Sequence, residues 1–364
     1  MRVGADVRVV TTNRNGNGHL NVPLDRWTSH DGVPVWYAKT SAGPYLYSSS
    51  TATVLGESIP HADCIINSST LWLHSGWLAW RAAKRYGTPS LNYPRGLLDA
   101  WAYRHKQFRK QVSWHVIGKR ILQDSAAIVA LSERERQRIR AMRVTTRIEV
   151  IPNGAEPSAI GTPSRAWLDA TYPTLGGRRY VLFLGRIHQK KGIDLLLGAI
   201  RALRGRTEGV AFVIAGPVDE AYRARWRELL RANDVVNSLV LTGPVSGATK
   251  AALLRHASLF VLPSYSEGMP LAVLEALAAG CPVVITEACA LPEVAEARAG
   301  VVSKANVDEL AAALSSLLGN EPRRSAMSLR AAALARSSFD WTPIATRTLA
   351  LCREVARTPD AADS

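Results

Sequence analysis

Beyond about residue 178 the chain alternates between short apolar runs and longer stretches in which apolar residues recur every three to four positions. The runs fall near 180–184, 210–215, 239–242, 258–262, 282–286 and 300–302. Ala211-Phe-Val-Ile214 and Leu259-Phe-Val-Leu262 lack polar alternation, as strands covered on both faces require. Strand and helix in turn predict a doubly wound parallel sheet, whose ligands gather off the carboxyl ends of its strands. Arg186, Gly216, Gly243 and Glu267 each follow a strand at that end. The first half alternates less tidily, with strands expected at 7–10, 64–66, 128–131 and 148–151. Residues 156–179, rich in Pro, Gly, Ser and Thr, read as linker and lead-in, and the Ala-rich segment near 331–335 as helix. A chain of 364 residues is long enough for two domains with separate cores.

Within this pattern, Phe260-Val-Leu-Pro-Ser-Tyr-Ser-Glu267-Gly-Met-Pro270-Leu-Ala-Val-Leu-Glu275-Ala-Leu-Ala-Ala-Gly280-Cys-Pro-Val-Val-Ile-Thr286 spells strand, loop, helix and strand. Pro270 suits the first helical turn, where a missing N–H is harmless, and Gly280 with Pro282 stops the helix. Unbonded N–H groups around Gly268, Met269, Pro270 and Leu271 would favour an anion. Glu267 falls in the loop, and Glu275 about one and a half turns into the helix. Leu271, Leu274 and Ala278 give that helix an apolar face with or without a ligand. A second segment, Tyr180-Val-Leu-Phe-Leu-Gly185-Arg186-Ile-His-Gln-Lys190-Lys191-Gly192, runs from strand to basic turn and on into a leucine-periodic helix. Solvated basic residues at a loop tip would have the same composition.

These two segments resemble the Glu-x7-Glu and Gly-Arg-x4-Lys-Gly motifs of the retaining glycosyltransferases of family 4, and the resemblance extends over 87–357. It implies an α/β chain of the GT-B fold, with two Rossmann-like doubly wound parallel-sheet domains facing a cleft. Residues 1–160 would form the acceptor-side domain and 161–341 the nucleotide-sugar domain, with a helix over 342–364 crossing back. The implied catalytic group is Glu267, Arg186 and Lys191, with Lys190 one place out of register. Glu267 would orient the donor sugar, and Arg186 and Lys191 would grip the pyrophosphate. Glu275 would hold the ribose, flanked by Gly268, Met269, Pro270, Leu271, Gly185, Gly216 and Gly243. Gly216 and Gly243 read first as turn residues. No Asp-x-Asp triplet occurs, so neither a metal nor a cofactor is expected, the nucleotide sugar being a substrate.

Two departures from the family pattern stand out. Family members open with a strand, a Gly-Gly loop and a helix before a strand like Ala5-Asp-Val-Arg-Val-Val-Thr-Thr; here that later strand comes almost first. The first domain should then lack its central opening strand and leave ladders unpaired on both sides, so either the true start lies upstream or the chain is a degraded member. Where many members place a histidine beside the sugar, this chain has Leu91-Asn-Tyr-Pro94-Arg95-Gly96. Arg95 is the acceptor-side candidate, and a plain turn residue is the alternative. His74, in the apolar helical stretch 71–80, is expected to be a satisfied core residue.

Charge adds a partner class. The net charge is +15, and residues 81–147 carry 16 Lys and Arg against four Asp and Glu, a local +12. Trp101, Tyr103, Phe108 and Trp114 are interleaved there, a combination that suits an anionic membrane surface. No helix-turn-helix, zinc or RNA-module signature supports a nucleic-acid partner, and none is expected. No run of 18 apolar residues and no signal-peptide pattern is present, and Cys64, Cys281, Cys289 and Cys352 have no paired spacing. A cytoplasmic enzyme, peripheral on the inner face of the plasma membrane, is expected. It would take a nucleotide-sugar donor and a lipid-linked or saccharide acceptor in surface polysaccharide or lipid-linked glycan synthesis. The alternative is an inactive member that binds nucleotide sugars or acts as a scaffold.

Overall fold

The computed structural model describes residues 3–15, 18–41, 47–68, 71, 73–98, 114–156 and 163–357. The chain forms two compact units, one of residues 1–152 with 342–364 and one of residues 153–341. In the first, β1 (Val9–Thr12), β2 (Arg14–Asn15), β3 (Gly18–His19), β4 (Trp27–His30) and β5 (Val33–Ala38) lead to α1 (Ser49–Ser58), β6 (Ile65–Asn67) and α2 (His74–Tyr86). There follow β7 (Ser90–Asn92), α3 (Lys119–Gln123), β8 (Ala127–Ala130), α4 (Glu133–Ala141) and β9 (Ile148–Val150). The second unit contains α5 (Arg165–Thr171), β10 (Arg179–Leu184), α6 (Ile193–Ala202), β11 (Val210–Ala215), α7 (Arg223–Asn233), β12 (Leu239–Gly243), α8 (Gly247–His256) and β13 (Leu259–Leu262). It continues with α9 (Leu271–Ala278), β14 (Val283–Thr286), α10 (Glu293–Glu296), β15 (Gly300–Ser303), α11 (Val307–Leu318) and α12 (Glu321–Ser338). Helix α13 (Trp341–Arg357) returns the chain to the first unit.

The second unit is a six-stranded parallel sheet in the order β12-β11-β10-β13-β14-β15. Every residue of β11, β13 and β14 is buried, which is why their sequences run apolar without alternation. The chain steps outward from β10 to β12 and then re-enters beside β10 as β13. The loops after β10 and β13 therefore part at the point where strand order reverses, where doubly wound sheets open a crevice. The segment expected to be linker is largely part of this unit. Ser164 caps α5, and Leu168 and Leu175 are fully buried; residues 157–162 lie outside the described residues.

Among the described residues the first unit contains three sheets, the smallest being the antiparallel pair β2-β3. Strands β6-β7-β8-β9 run parallel, and β1-β5-β4 form a separate sheet in which β4 and β5 make a hairpin. Its two-residue turn, Asp31-Gly32, has φ of 49° and 78°, the left-handed pair that matches strand twist. Among the described residues the outer edges of β1 and β6 have no ladder partner. Val9 and Ile66 on those edges are 38% and 49% exposed. Side chains alternate across the four-stranded sheet with period two. Leu91, Ala127 and Val129 pack with Ile344, Leu351 and Val355 of α13. Ile128, Ala130 and Ile148 pack on the opposite side with Ile121, Leu122 and Ile139.

The boundaries correct several expectations. Strand β1 lies at 9–12 rather than 7–10, Cys64 precedes β6, and Ile151 follows β9. Strands β4, β5 and β7 had not been foreseen. Helix α9 begins at Leu271, because Pro270, with ψ of 114°, is its extended cap rather than a first-turn residue.

Candidate functional site

The loop after β10 is built for close approach. The ladder continues past the strand, with Gly185 N–H donating to Ala215 O at 2.9 Å and Ile187 N–H to Pro217 O at 2.8 Å. His188 Nδ1 then accepts the Lys190 N–H at 3.0 Å, closing a turn that ends at Gly192, φ 63°. A Cβ on Gly192 would run into the Pro263 carbonyl, so glycine here lets the loops after β10 and β13 touch. That contact aims Lys191 across the crevice, with Nζ 2.7 Å from Glu267 Oε1.

The second loop is fixed at both ends. Ser264 Oγ donates to the same Glu267 oxygen at 2.7 Å, and Thr286 Oγ1 donates to Ser264 O at 2.5 Å. The Glu267 N–H donates to Ala288 O at 3.1 Å. Tyr265 bridges to the neighbouring loop, its N–H donating to Lys190 O at 2.9 Å and its hydroxyl to Asp194 Oδ2 at 2.7 Å. Burial, then the Asp194 bond, pushes the Tyr265 phenol well above its ordinary value, so it remains a donor at neutral pH. Burial and the nearby Glu267 charge push the Cys289 thiol up to about 12, leaving it inert.

At the start of α9 the N–H groups of Gly268, Met269, Leu271 and Ala272 have no protein acceptor among the described residues. They present the positive end of the helix dipole to the loop. Asn153 holds this corner, its N–H on Met269 Sδ at 3.3 Å and its Nδ2 on Met269 O at 3.4 Å. Glu275 accepts from Lys250 Nζ at 2.9 Å, a cation that comes from α8. Arg186 stands at the end of β10 but joins neither glutamate; its guanidinium, 64% exposed, lies 3.4 Å from Asp219. Gly216, φ 139°, packs against the Gly185 carbonyl and donates to Gly243 O at 2.8 Å. These three glycines thus bring strand ends together.

Lys191 and Glu267 are therefore assembled as a pair, whereas Glu275 and Arg186 are each held by a residue that sequence reasoning missed, Lys250 and Asp219. Lys250 is 25 positions from Glu275 and Asp219 is 33 from Arg186, so neither has a local signal. Ser264, three positions before Glu267, could have been read from the Pro-Ser-x-Ser-Glu run.

In the first unit, Arg95 follows β7, exposed, with its guanidinium 5.7 Å from the Tyr93 ring centroid. His74 is not a satisfied core residue. It opens α2, stacks between Tyr47 and Trp77 at 4.6 and 5.5 Å, and its buried Nδ1 has no partner among the described residues. Burial lowers its pKa, keeping the ring neutral near pH 7. On α2, Arg81 lies over Trp77 and Lys84 over Trp80. Trp114 is buried in the core and contributes nothing to a basic surface; Trp101, Tyr103 and Phe108 lie outside the described residues. No helix among the described residues is long and apolar enough to cross a membrane. The four cysteines are free thiols.

The fold and the loops at the switch point define a GT-B-type α/β protein. Residues 169–333 match the family described as glycosyl transferases group 1, and residues 1–154 the glycosyl transferase 4-like domain, so the chain belongs to this glycosyltransferase family. It is 28% identical over 284 residues to the D-inositol 3-phosphate glycosyltransferase of Nocardia farcinica, covering 75% of this chain and 62% of that one. It is 32% identical over 212 residues to the phosphatidyl-myo-inositol mannosyltransferase of Mycobacterium leprae, covering 57% and 53%. The chain thus spans between half and two thirds of these curated relatives. Among solved structures, sucrose-phosphate synthase from Thermosynechococcus elongatus superposes with a TM-score of 0.78 at 20% identity, over 97% of this chain and 90% of that one. Anabaena HepE in complex with UDP-glucose gives 0.73 at 17% identity, over 90% and 87%.

Proposed function

We propose that the chain is a retaining, metal-independent glycosyltransferase of the hexosyltransferase type, which moves a sugar from a nucleoside diphosphate to an acceptor hydroxyl. The observation that carries this reading is the Lys191–Glu267–Ser264 cluster beside the open N–H groups of α9. The bond from the anomeric carbon to the diphosphate breaks as the acceptor oxygen bonds to that carbon from the same face, and the departing phosphate takes the acceptor's proton. Negative charge grows on the diphosphate during this step. Lys191, Arg186 and the start of α9 stabilise it, the work a metal does elsewhere. Lys191 and Ser264 hold Glu267 in one rotamer, from which it orients the sugar hydroxyls, and Glu275 anchors the ribose.

The acceptor is a lipid-linked or saccharide hydroxyl, and synthesis of surface polysaccharide or lipid-linked glycan is the setting. The basic and aromatic face of α2 holds the protein on the inner face of the plasma membrane as a peripheral, cytoplasmic enzyme, with no nucleic-acid partner. Calorimetry with a panel of nucleotide sugars, beginning with UDP-glucose, tests donor binding. NMR of the product's anomeric configuration, with and without EDTA, tests retention and metal independence. Inositol phosphates and phosphatidylinositol, named by the relatives, lead the acceptor panel. Flotation with anionic vesicles at low salt tests the membrane role. The alternative is a member that binds nucleotide sugars without turnover; binding with no transfer or hydrolysis would select it.

A further inference from the structure

Glu135 is 4% exposed and has an unusual pair of partners. Ser132-Glu133-Arg134-Glu135 has the spacing of a capping box, in which the third-position glutamate reaches back to the N–H of the cap. Half of the box forms, since Ser132 Oγ accepts the Glu135 N–H at 3.3 Å. The carboxylate goes elsewhere. Its Oε2 accepts the Leu131 N–H at 2.7 Å and its Oε1 the Gly96 N–H at 2.5 Å. Leu131 directly follows β8 and Gly96 lies in the turn after β7, so one buried side chain ties together the carboxyl ends of two adjacent parallel strands.

The turn it holds is strained. Arg95 has φ of 51°, left-handed and unfavourable for a residue with a Cβ, and Gly96 follows at 74°. The guanidinium this exposes lies over the Tyr93 ring and makes no direct ion pair among the described residues, Glu135 acting on it only through a weak electrostatic pull. A buried carboxylate and a left-handed arginine both oppose folding, and such strain gathers where a side chain must be presented. A guanidinium fork matches an oxyanion through two parallel N–H bonds.

We propose that Glu135 is a positioning residue: by accepting the Gly96 N–H it keeps the 94–96 turn left-handed, and so presents Arg95 at the strand ends of the first unit as a receptor for an oxyanion on the acceptor. The word acceptor rests on the transferase reading; the oxyanion site does not. The probe is phenyl phosphate, followed by line broadening of its NMR signals in the presence of the full chain with saturating UDP. Phenol and benzoate run in parallel. Broadening of phenyl phosphate but not phenol is expected, and the benzoate arm tells phosphate selectivity from a general taste for oxyanions. Arg95→Ala should raise the apparent Kd for phenyl phosphate about tenfold, the scale of one charge-assisted hydrogen bond. Glu135→Gln, with Arg95 intact, should raise it several-fold and speed hydrogen exchange at the Gly96 amide. UDP affinity should be unchanged in both variants. Wild-type binding in Arg95→Ala would refute the site. Wild-type binding in a folded Glu135→Gln variant would leave Glu135 a structural residue. If Glu135→Gln fails to fold, Glu135→Asp, which withdraws the carboxylate by one methylene, is read in its place. A chain that binds phenyl phosphate but never UDP would sink the transferase reading and leave this one standing.

Discussion

Lys191 Nζ and Ser264 Oγ converge on one oxygen of Glu267, each at 2.7 Å. The Glu267 side chain is 9% exposed, so this is a buried carboxylate neutralised by a single ammonium. Removing one partner of such a pair costs about 3–5 kcal/mol, whereas removing both is far milder. Lys191→Met should therefore destabilise the second unit by roughly 3 kcal/mol in urea unfolding, and Lys191→Met/Glu267→Gln should recover most of that loss. On the proposed reading, turnover should stay about 10²–10³-fold low in both, since the charge assigned to the leaving diphosphate is gone. Recovery of turnover in the double variant would remove Lys191 from the chemistry.

Among the described residues Arg186 pairs with Asp219, through a contact of the kind that contributes about 1 kcal/mol or less. On the proposed reading this weak contact gives way to the donor diphosphate. Arg186→Ala should lower turnover about 10²–10³-fold with stability nearly unchanged. A variant within twofold of the parent in steady-state kinetics would show that Arg186 does not meet the donor.

Glu275 has one oxygen on Lys250, and on the proposed reading its carboxylate also takes a ribose hydroxyl. Glu275→Ala should weaken UDP binding by roughly 2–3 kcal/mol, the scale of a charge-assisted hydrogen bond. The discriminating measurement is calorimetry with 2′- and 3′-deoxy UDP, which should lose affinity against the parent and lose little more against the variant.

Gly192 is the point where the two loops touch. In Gly192→Ala the new methyl group meets the Pro263 carbonyl at a positive φ, and the expected cost is about 1–3 kcal/mol for the backbone conformation plus the clash. Thermal unfolding should register this, and UDP affinity should fall with it as Lys191 is pushed out of reach of Glu267.

Burial raises the pKa of Glu135 above the ordinary carboxylate value, against the opposing pull of the Leu131 and Gly96 N–H groups and of Arg138 and Arg95. A folded-state pKa above the unfolded one means that the folded state binds more protons in between. Stability from this group is thus complete below about pH 4.3, the unfolded value, and is lost as pH rises through the folded pKa. Glu135→Gln should flatten this slope in plots of Tm against pH; an unchanged slope would show that the group does not titrate in that window.

The second unit was legible because its strands are covered on both faces and run apolar without interruption, so 180–184 and 210–215 gave nearly the observed bounds. In the first unit Ser90–Asn92 is a buried strand of three residues with polar ends, which periodicity cannot register. The β4–β5 hairpin carried one local signal, the turn pair Asp31-Gly32, but neither flanking run alternates, so periodicity gave no support. Resemblance led to the loops that carry Lys191 and Glu267. It could not supply Asp219 or Lys250, which reach the site through tertiary folding alone, nor Glu135, whose sequence spells an ordinary helix cap.

Tyr265 clasps Lys190 with its backbone and Asp194 with its hydroxyl, fastening the two crevice loops to each other. Charges locked in register before any substrate arrives have little rearranging to do when a bond breaks. On the proposed transferase reading, chemistry housed in this way is insulated from the choice of molecule being decorated, and new specificities would come from reshaping the turns after β7 and β8 while the crevice loops stay unaltered.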